Sequence, residues 1–315
     1  MNLLMVRNKI KSFIKILFPG ILINKILQLR TCIQKINIPK TKKIFENAGK
    51  SPEYLRMNDL EILQKQYPSP PYYGYDEKSL LLRGKSRAKQ ILRLPGVKKC
   101  ESFLELGCWD GMVSYVINSY GKNATAIDIK SEGFDERAVN KGVKLIQMDA
   151  ADMKFENESF DFIFSYDTFE HFSDPEKVLK EVIRILKKGG YLYLLFEPLY
   201  MSPFGEHAYR SITVPYCQFL FDKKIINDFT QNHNLEQIDF NHVNGWPLEQ
   251  YRDLWKKYES SLEIIKYSEK YDLRYLNLIR EYPSCFKSKT DYFDNLIVSS
   301  IEILFKKKKN SQSYF

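Results

Sequence analysis

Four acidic side chains stand where apolar stretches of the sequence end. Glu105 closes the first stretch, and Asp128 closes the second, 21 residues after Gly107. Asp149 ends a third stretch and Asp167 follows a fourth. In an open parallel sheet, ligands bind outside the carboxyl ends of the strands. Carboxylates at that edge can accept hydrogen bonds from ribose hydroxyls and from an adenine amino group, so the spacing favours a site for an adenosine-containing cofactor.

A glycine turn follows the first stretch. Residues 103–111 read FLELGCWDG, so apolar residues lead through Glu105 into a turn that contains Gly107 and Gly111. A turn that leads into a helix places backbone N–H groups and the helix N-terminus beside one ligand. A dinucleotide requires G-x-G-x-x-G, because its pyrophosphate must approach the backbone closely. Trp109 and Met112 occupy the positions of the further glycines, which favours a cofactor without a pyrophosphate.

Strand and helix patterns alternate across residues 103–196, as in a parallel sheet with helices on both faces. Further along the chain we expect a strand at residues 235–243, a polar helical insertion within residues 247–290 and a final strand at residues 296–306. The predicted fold is α/β and Rossmann-like: a mostly parallel seven-stranded sheet with an antiparallel C-terminal edge strand, a helical N-terminal arm and a helical insertion. The five parallel strands are predicted at residues 103–106, 124–129, 143–148, 160–165 and 191–196.

The predicted helix at residues 178–186 has clear end signals. Asp174 is a suitable N-cap, and Pro175 suits the first helical position. Gly189 and Gly190 are expected to end this helix before the fifth strand.

Positive charge is concentrated near the N-terminus. The 315 residues carry a net charge of +9, but residues 1–50 hold eleven Lys or Arg and a single acid, Glu46, so the other 265 residues sum to −1. A near-neutral body is not expected to present a broad nucleic-acid-binding face. Apolar residues within residues 10–17 share one helical face, so the arm could lie on an anionic membrane surface or pack as an ordinary helix on the body or a partner.

The sequence contains no signal for export or for membrane insertion. No apolar run reaches the roughly 18 residues that a membrane span needs. The five cysteines are scattered and include no CxxC pair, so neither a zinc site nor a disulfide framework is indicated. We expect a cytoplasmic protein, with peripheral contact at the inner membrane surface through residues 1–30 as the alternative.

The motifs as a set resemble those of class I S-adenosylmethionine-dependent methyltransferases, and more closely the subgroup that includes ubiquinone- and menaquinone-biosynthesis methyltransferases. The resemblance covers about residues 100–198, with the motifs in the family's order and spacing. Trp109 departs from it, because the family usually has glycine there. The matching residues are Glu105, Gly107, Cys108, Gly111, Asp128, Asp149, Ala150, Glu170, His171, Asp174, Pro175, Gly189 and Gly190.

The resemblance implies S-adenosyl-L-methionine as the cofactor and a role for each motif. Glu105 and Gly107 would lie by its methionine part, Asp128 would hold the ribose, and Asp149 with Ala150 would hold the adenine. Tyr166 would lie near the sulfonium. The residues expected to bind the cofactor are Glu105, Gly107, Cys108, Gly111, Asp128, Ile129, Asp149, Ala150 and Tyr166.

Three residues are candidates for the transfer step. Methyl transfer to a hydroxyl requires a base, and imidazole titrates near neutral pH, so His171 is the first candidate. The alternative is that Glu170 and His171 only hold the loop after the fourth strand. His207, in a Gly205-x-His207 segment after the fifth strand, is a second candidate base or a loop histidine bonded to backbone.

A metal ion is not expected, although one ligand set is conceivable. Asp167-x-x-Glu170-His171 resembles the acidic-x-x-Glu-His pattern of metal-assisted quinone O-methyltransferases. Oxygen and nitrogen ligands of this kind could hold Mg²⁺.

The predicted function is methyl transfer to a small-molecule, saccharide or lipid-linked acceptor, with oxygen as the favoured atom. Two alternatives stay open: a non-catalytic methyltransferase-like binding module in which Trp109 blocks the cofactor, and a nucleic-acid or protein methyltransferase. Residues 1–75 are expected to form a basic arm and linker, and residues 76–310 the methyltransferase domain. Within that domain we expect a cofactor half at residues 100–198 and an acceptor-recognition region at residues 199–295.

Overall fold

The computed structural model describes residues 35–51, 53–69 and 74–309. They form two compact units, of which the smaller contains the described part of Met1–Glu53 together with Leu273–Phe293. The larger contains the described parts of Tyr54–Asp272 and Asp294–Phe315. This division does not follow the predicted boundary after residue 75. The amphipathic arm predicted within residues 1–30 lies outside the described residues.

Seven strands of the described chain form one sheet in the larger unit. They are β1 (Ser102–Leu106), β2 (Asn123–Asp128), β3 (Lys144–Gln147), β4 (Phe160–Tyr166), β5 (Leu186–Phe196), β6 (Leu262–Tyr271) and β7 (Val298–Lys307). The strand order is β3-β2-β1-β4-β5-β7-β6. Strands β1 to β5 pair in parallel, whereas β7 pairs antiparallel with both β5 and β6. The predicted Rossmann-like architecture is confirmed.

Helices cover both faces of the sheet. Phe103 and Phe162 point to the face that packs against the helices Glu77–Ile91 and Met112–Ser119. Leu104 and Ile163 point to the face that packs against the helices Pro175–Ile185 and Leu248–Lys257. This alternation follows from the two-residue repeat of a strand. The helices are α1 (Met57–Gln66), α2 (Glu77–Ile91), α3 (Met112–Ser119), α4 (Glu136–Asn140), α5 (Pro175–Ile185), α6 (Cys217–Leu220), α7 (Lys223–Asn232), α8 (Leu248–Lys257), α9 (Leu276–Glu281), α10 (Pro283–Lys287) and α11 (Asp294–Ile297), with 3₁₀ turns at Val97–Lys99 and Phe169–His171.

The smaller unit is helical in its described part. Residues 35–46 form a helix, and α9 and α10 belong to the same unit. Phe45 lies 5.8 Å from Phe293 between ring centroids, and Lys287 Nζ lies 4.9 Å from the centre of the Phe45 ring. Lys50 and Lys287 both pair with Asp291.

Asp161 ties together three strand beginnings at the end of the sheet opposite to the glycine turn. Its carboxylate accepts hydrogen bonds from the backbone N–H groups of Glu101 and Ser102, at 3.1 and 2.9 Å, and from Lys187 Nζ at 2.9 Å. Burial alone would raise the pKa of Asp161, but these donors hold it down at about 2. The ionised form therefore stabilises the start of β1, β4 and β5.

The region after residue 198 differs from the prediction in two places. Residues 235–243 do not form a strand. The helical insertion predicted within residues 247–290 is wrong for its centre, because β6 occupies Leu262–Tyr271 and pairs with β7. The antiparallel end of the sheet is confirmed, and its outermost strand is β6, while β7 lies between β5 and β6.

The expected end of helix α5 is also corrected. Asp174 caps the helix by accepting from the Lys177 backbone N–H, and Pro175 is its first residue, as predicted. The helix ends at Ile185, and β5 begins at the next residue. Gly189 and Gly190 therefore lie inside β5, beside an irregularity in its pairing with β4. Among the described helices, none is both long and apolar enough to cross a membrane.

Candidate functional site

The candidate site lies at the carboxyl ends of β1 and β4, where the strand order reverses. The chain leaves β1 toward β2 and β3 and then returns to β4 on the other side of β1. Such a reversal opens a crevice above the sheet. Thr168, after β4, donates a hydrogen bond from Oγ1 to the Gly107 carbonyl at 3.1 Å. A Cβ atom on Gly107 would lie 2.0 Å from Thr168 Cγ2, and its φ is +66°, so only glycine fits this close crossing.

Asp128 holds the glycine turn against the end of β2. Its Oδ2 accepts a hydrogen bond from the Trp109 backbone N–H at 2.8 Å, and its Oδ1 accepts from the Lys130 backbone N–H at 3.1 Å. An ionised carboxylate offers about four acceptor positions, so Asp128 retains capacity for a further donor such as a ribose hydroxyl. Gly111 ends the turn with φ +73°, directly before α3.

Trp109 adopts the left-handed backbone conformation, with φ +50°. Glycine adopts this conformation without strain, which gives a physical reason for glycine at this position in the family that the motifs resemble. Trp109 is 49% exposed, and its indole lies against Gly133, where an added Cβ would come within 3.0 Å of Trp109 Cδ2. Trp109 therefore packs on the loop after β2, and part of its ring faces solvent.

Glu105 is buried beneath the turn. Its Oε2 accepts hydrogen bonds from the backbone N–H and the hydroxyl of Ser114, at 3.1 and 2.6 Å. Burial raises the pKa of Glu105 to about 8, although the Ser114 hydrogen bonds oppose the shift. A cation close to this carboxyl group would lower its pKa and favour the ionised form.

The other residues expected to bind a cofactor lie in the neighbouring turns. The Met148 backbone N–H donates to the Asp128 carbonyl at 2.8 Å, which places Asp149 beside the end of β2. Asp149 is exposed and accepts from the Ala151 backbone N–H at 2.8 Å, while Ala150 is buried. The side chain of Ile129 is 60% exposed. Cys108 is buried, and burial raises the pKa of its thiol.

Two arginines of α2 clamp the loops of the site. Arg83 pairs with Asp110 at 2.6 Å, and Asp110 in turn caps α3 by accepting from the Met112 backbone N–H at 2.7 Å. Arg87 pairs with Asp167 and lies 5.0 Å from the ring centre of Tyr166. The buried Tyr166 donates its hydroxyl proton to the Arg87 carbonyl at 3.4 Å. Sequence reasoning missed both arginines, because nothing in α2 marks them apart from ordinary exposed helix charges.

Three histidines converge at the 3₁₀ turn Phe169–His171, which follows β4. The ring centroids of His171 and His207 are 4.8 Å apart, and those of His171 and His242 are 4.3 Å apart. The two candidate bases thus belong to one cluster. His242 was not anticipated, because it lies 71 residues from His171 in a segment predicted to be a strand, without any motif spacing.

The two half-buried imidazoles of the cluster, those of His171 and His207, are held by backbone carbonyl groups. His171 Nδ1 lies 2.7 Å from the His242 carbonyl oxygen, and His207 Nε2 lies 3.1 Å from the Pro198 carbonyl oxygen. A carbonyl only accepts, so each of these nitrogens carries the proton and the other ring nitrogen keeps its lone pair. Burial lowers the pKa of His171 to about 4 and that of His207 to about 3. Both rings are therefore neutral near pH 7.

Glu170 lies next to this cluster and is buried without a hydrogen bond. Its side chain is 1% exposed, and neither carboxylate oxygen has a partner among the described residues. His171 Nε2 is 3.8 Å from Glu170 Oε1, which is beyond hydrogen-bond distance. Burial raises the pKa of Glu170 well above its usual value, and nearby Asp167 adds to the shift. A buried polar group left unpaired in this way is costly, so Glu170 stays a candidate functional residue.

The ligand set considered for Mg²⁺ is not brought together. Asp167 is engaged by Arg87, and burial raises its pKa to about 6 in spite of that partner. In the part of the chain that the structure describes, the His, Cys, Asp and Glu side chains that converge on one point are His171, His207 and His242. Asp167 and Glu170 are outside that group.

Comparison with known proteins gives a family match for the part of the chain that carries the motifs. Residues 104–194 match the family described as "Methyltransferase domain". This segment runs from β1 into β5 and contains the glycine turn, the acidic strand ends and the Glu170-His171 pair.

Three characterised proteins are similar to the chain over different lengths. Phosphoethanolamine N-methyltransferase 2 of Caenorhabditis elegans is 28% identical over 165 residues, which are 49% of this chain and 35% of that protein. Demethylmenaquinone methyltransferase of Staphylococcus aureus is 24% identical over 66% of this chain and 80% of its own length. Sterol 4-C-methyltransferase strm-1 of Caenorhabditis elegans is 31% identical over 28% of each chain. The match to the first and third spans about a third of each protein or less.

Proposed function

We propose that this chain, which is a class I S-adenosylmethionine-dependent methyltransferase, transfers a methyl group to an oxygen atom of a small-molecule or saccharide acceptor. The observation that carries the proposal is the meeting of two sets of residues at the ends of β1 and β4. One set suits an adenosine cofactor, and the other offers neutral imidazoles at the 3₁₀ turn after β4.

The cofactor would be S-adenosyl-L-methionine, held by the turns after β1, β2 and β3. Asp128 would accept from the ribose hydroxyls, since its oxygens have acceptor capacity left. Ile129 would offer an apolar surface to the adenine ring, and Asp149 an acceptor for the adenine amino group, beside Ala150. These roles require that the turns keep the positions that Asp128 gives them.

The methionine part of the cofactor would lie toward β1 and β4. Glu105 and the turn at Gly107, Cys108 and Gly111 would line this side, and Tyr166, the last residue of β4, would lie near the sulfonium. The buried Glu105 carboxyl group would gain a cationic partner from the cofactor, which favours its ionised form. When bound, the cofactor supplies an electrophilic methyl group on a sulfonium.

His171 would remove the acceptor proton. Its Nδ1 is fixed by the His242 carbonyl group, so the lone pair of Nε2 is available. His207 lies within the same cluster and would orient His171 or the acceptor. Glu170 would balance the positive charge that develops on His171, since Oε1 lies 3.8 Å from Nε2.

The acceptor is proposed to bind between the histidine cluster and the loops after β5. The relatives do not select one acceptor class: their names refer to phosphoethanolamine, demethylmenaquinone and a sterol. By name, one of them is an N-methyltransferase and another a 4-C-methyltransferase. Oxygen is proposed for this chain because a neutral imidazole with a free lone pair suits a hydroxyl acceptor.

We further propose that the acceptor is carried on a membrane. The net charge of +10 within residues 1–50 would attract an anionic membrane surface, and the near-neutral remainder does not favour nucleic acid. A lipid-linked sugar or a quinone would then reach the site from that surface.

The experiment is mass spectrometry of surface glycans and quinones from a strain that lacks the gene. We expect one compound to lose the mass of a single CH₂ group and to regain it when the gene is restored. Unchanged glycans and quinones would contradict the proposed acceptor classes. A compound methylated on nitrogen or carbon would contradict the choice of oxygen.

A further inference from the structure

Three of the chain's four histidines meet in one place. One ring nitrogen from each of His171, His207 and His242 lies within 4.8 Å of the others. The three residues come from different segments: the 3₁₀ turn after β4, the loop after β5 and the loop before α8. Packing of one core element does not account for their convergence, because His242 is exposed and the other two are half-buried.

The hydrogen bonds of the cluster orient its free nitrogens. His171 donates from Nδ1 to the His242 carbonyl oxygen at 2.7 Å, and His207 donates from Nε2 to the Pro198 carbonyl oxygen at 3.1 Å. A histidine that binds a metal ion commonly donates its other ring N–H to a carbonyl or carboxylate, which fixes both tautomer and ring direction. Nε2 of His171 and Nδ1 of His207 therefore keep the lone pairs that can bind a metal ion.

We propose that His171, His207 and His242 bind a divalent first-row transition-metal ion of the zinc type. Neutral imidazole suits Zn²⁺, Fe²⁺, Co²⁺ and Ni²⁺, whereas Mg²⁺ and Ca²⁺ prefer oxygen. Three protein ligands and an open fourth position are typical of a catalytic zinc site.

The geometry needs a small contraction when the ion binds. With metal–nitrogen distances of about 2.0–2.1 Å, tetrahedral ligands lie about 3.3 Å apart. At present one ring nitrogen of each histidine lies within 4.8 Å of the others. His242 is the exposed member of the group, so its side chain can move toward the two rings that are already fixed.

Glu170 provides a second observation that points to a cation here. Its carboxyl group is buried with no hydrogen-bond partner for either oxygen, and Oε1 lies 3.8 Å from the proposed ligand atom of His171. A divalent ion on the histidines would provide the missing positive charge for Glu170. It would thereby relieve the cost of burying that carboxylate.

The role of the ion rests on the proposed function, although the binding of the ion does not. An acceptor hydroxyl at the open position would lose its proton to solvent, because the ion lowers the pKa of a bound oxygen. The oxygen lone pair then forms the new bond to the methyl carbon, and the carbon–sulfur bond breaks with its electrons on sulfur, leaving S-adenosylhomocysteine. With the ion bound, the His171 lone pair is used by the metal, so the ion takes the place of the free base.

The test titrates the full-length, chelator-treated protein with Co²⁺ and follows the visible ligand-field bands, with Zn²⁺ calorimetry in parallel. We expect one ion per chain. His242→Ala and His207→Ala should each weaken binding by at least about 100-fold, since changes outside the ligand set alone cost about 10–100-fold.

His233→Ala is the matched control. His233 is the remaining histidine, and it is engaged elsewhere, stacked on Phe229 at 4.2 Å and 3.2 Å from Glu61. It should bind Co²⁺ like the unmodified protein. His242 is exposed, so His242→Ala should keep its melting temperature, and this variant decides the result if His207→Ala does not fold.

Two results would overturn the inference: no stoichiometric Co²⁺ or Zn²⁺ binding, or equal binding in His242→Ala and His233→Ala. Binding of S-adenosylhomocysteine is measured on the same samples. If it persists while metal binding is absent, only the metal site is contradicted. If metal binds and S-adenosylhomocysteine does not, the proposed function fails instead.

Discussion

The rings of His171 and His207 meet edge to face, with centroids 4.8 Å apart and an interplanar angle of 90°. The residues are 36 positions apart in the sequence, where they look like two separate candidates for one role. The fold places them together because the loops after β4 and β5 leave adjacent parallel strands at the same edge. They must therefore be treated as parts of one site.

His171→Ala should strongly reduce methylation without weakening the cofactor complex. Loss of a positioned base or ligand typically costs about 10²–10⁴-fold in rate. The measurement is the amount of methylated product when the variant gene is returned to the deletion strain, together with calorimetry of S-adenosylhomocysteine. His233→Ala should restore the product fully. Normal product with His171→Ala would remove His171 from the mechanism.

Asp128→Asn should weaken S-adenosylhomocysteine binding by about 10-fold or more. A hydrogen bond to a charged group contributes about 1.5–3 kcal/mol, and the amide offers one acceptor oxygen instead of two. Calorimetry gives the affinity, and a thermal melt shows whether the turn at Trp109 survives the change. An unchanged affinity in a folded variant would contradict the ribose assignment.

Cofactor binding should release a proton from Glu105. Its pKa in the free protein is raised from 4.5 to about 8 by burial, so the group is protonated near pH 6.5 and a bound cation would favour its ionised form. Calorimetry in buffers of different ionisation enthalpy should show about one proton released per S-adenosyl-L-methionine, and none in Glu105→Gln. Equal proton release in both proteins would place the titrating group elsewhere.

The same shift makes the ligand-free fold sensitive to pH. Because the folded pKa of Glu105 lies above the unfolded value, ionisation opposes folding, and this cost grows as pH rises from about 4.5 to about 8. Glu105→Gln should flatten that part of the stability profile, as measured by urea unfolding. A profile identical to that of the unmodified protein would show that Glu105 is already ionised in the free state.

Asp161→Asn should destabilise the protein by about 2 kcal/mol at pH 7. The folded pKa of Asp161 is about 2, below its usual 3.8, so its contribution is fully present above about pH 3.8 and is lost as pH falls through about 2. Urea unfolding measures the difference. Asp152→Asn is the control, since Asp152 pairs with Lys154 on the surface with 62% and 70% of the two side chains exposed. A similar, small effect for both variants would contradict the role given to Asp161.

The parallel half of the fold was predictable because its strands are buried on both faces. Continuous apolar stretches bounded by glycine turns and capped helices leave few other assignments. Strand β6 was mistaken for helix for a physical reason. It lies at the sheet edge, most of its residues are exposed, and its pairing shifts between Ile264 and Lys266, which breaks the two-residue alternation.

From the sequence, the site could be predicted only at residues that belong to a motif. The acidic strand ends and the Glu170-His171 pair lie at fixed positions relative to the strands, so their convergence follows from the topology. His242, Arg83 and Arg87 reach the site from a long loop and from a helix that precedes the sheet, and no spacing in the sequence predicts such contacts. The lack of a hydrogen-bond donor for Glu170 within the described chain likewise results from packing, so the sequence does not predict it.

The methyltransferase function is tested most directly by calorimetric titration of the protein with S-adenosylhomocysteine. We expect saturable binding at one site per chain, because Trp109 packs against Gly133 and the Asp128 carboxylate keeps acceptor capacity for a ribose hydroxyl. No detectable binding to the folded protein would contradict the methyltransferase function and would favour a binding module in which Trp109 blocks the cofactor.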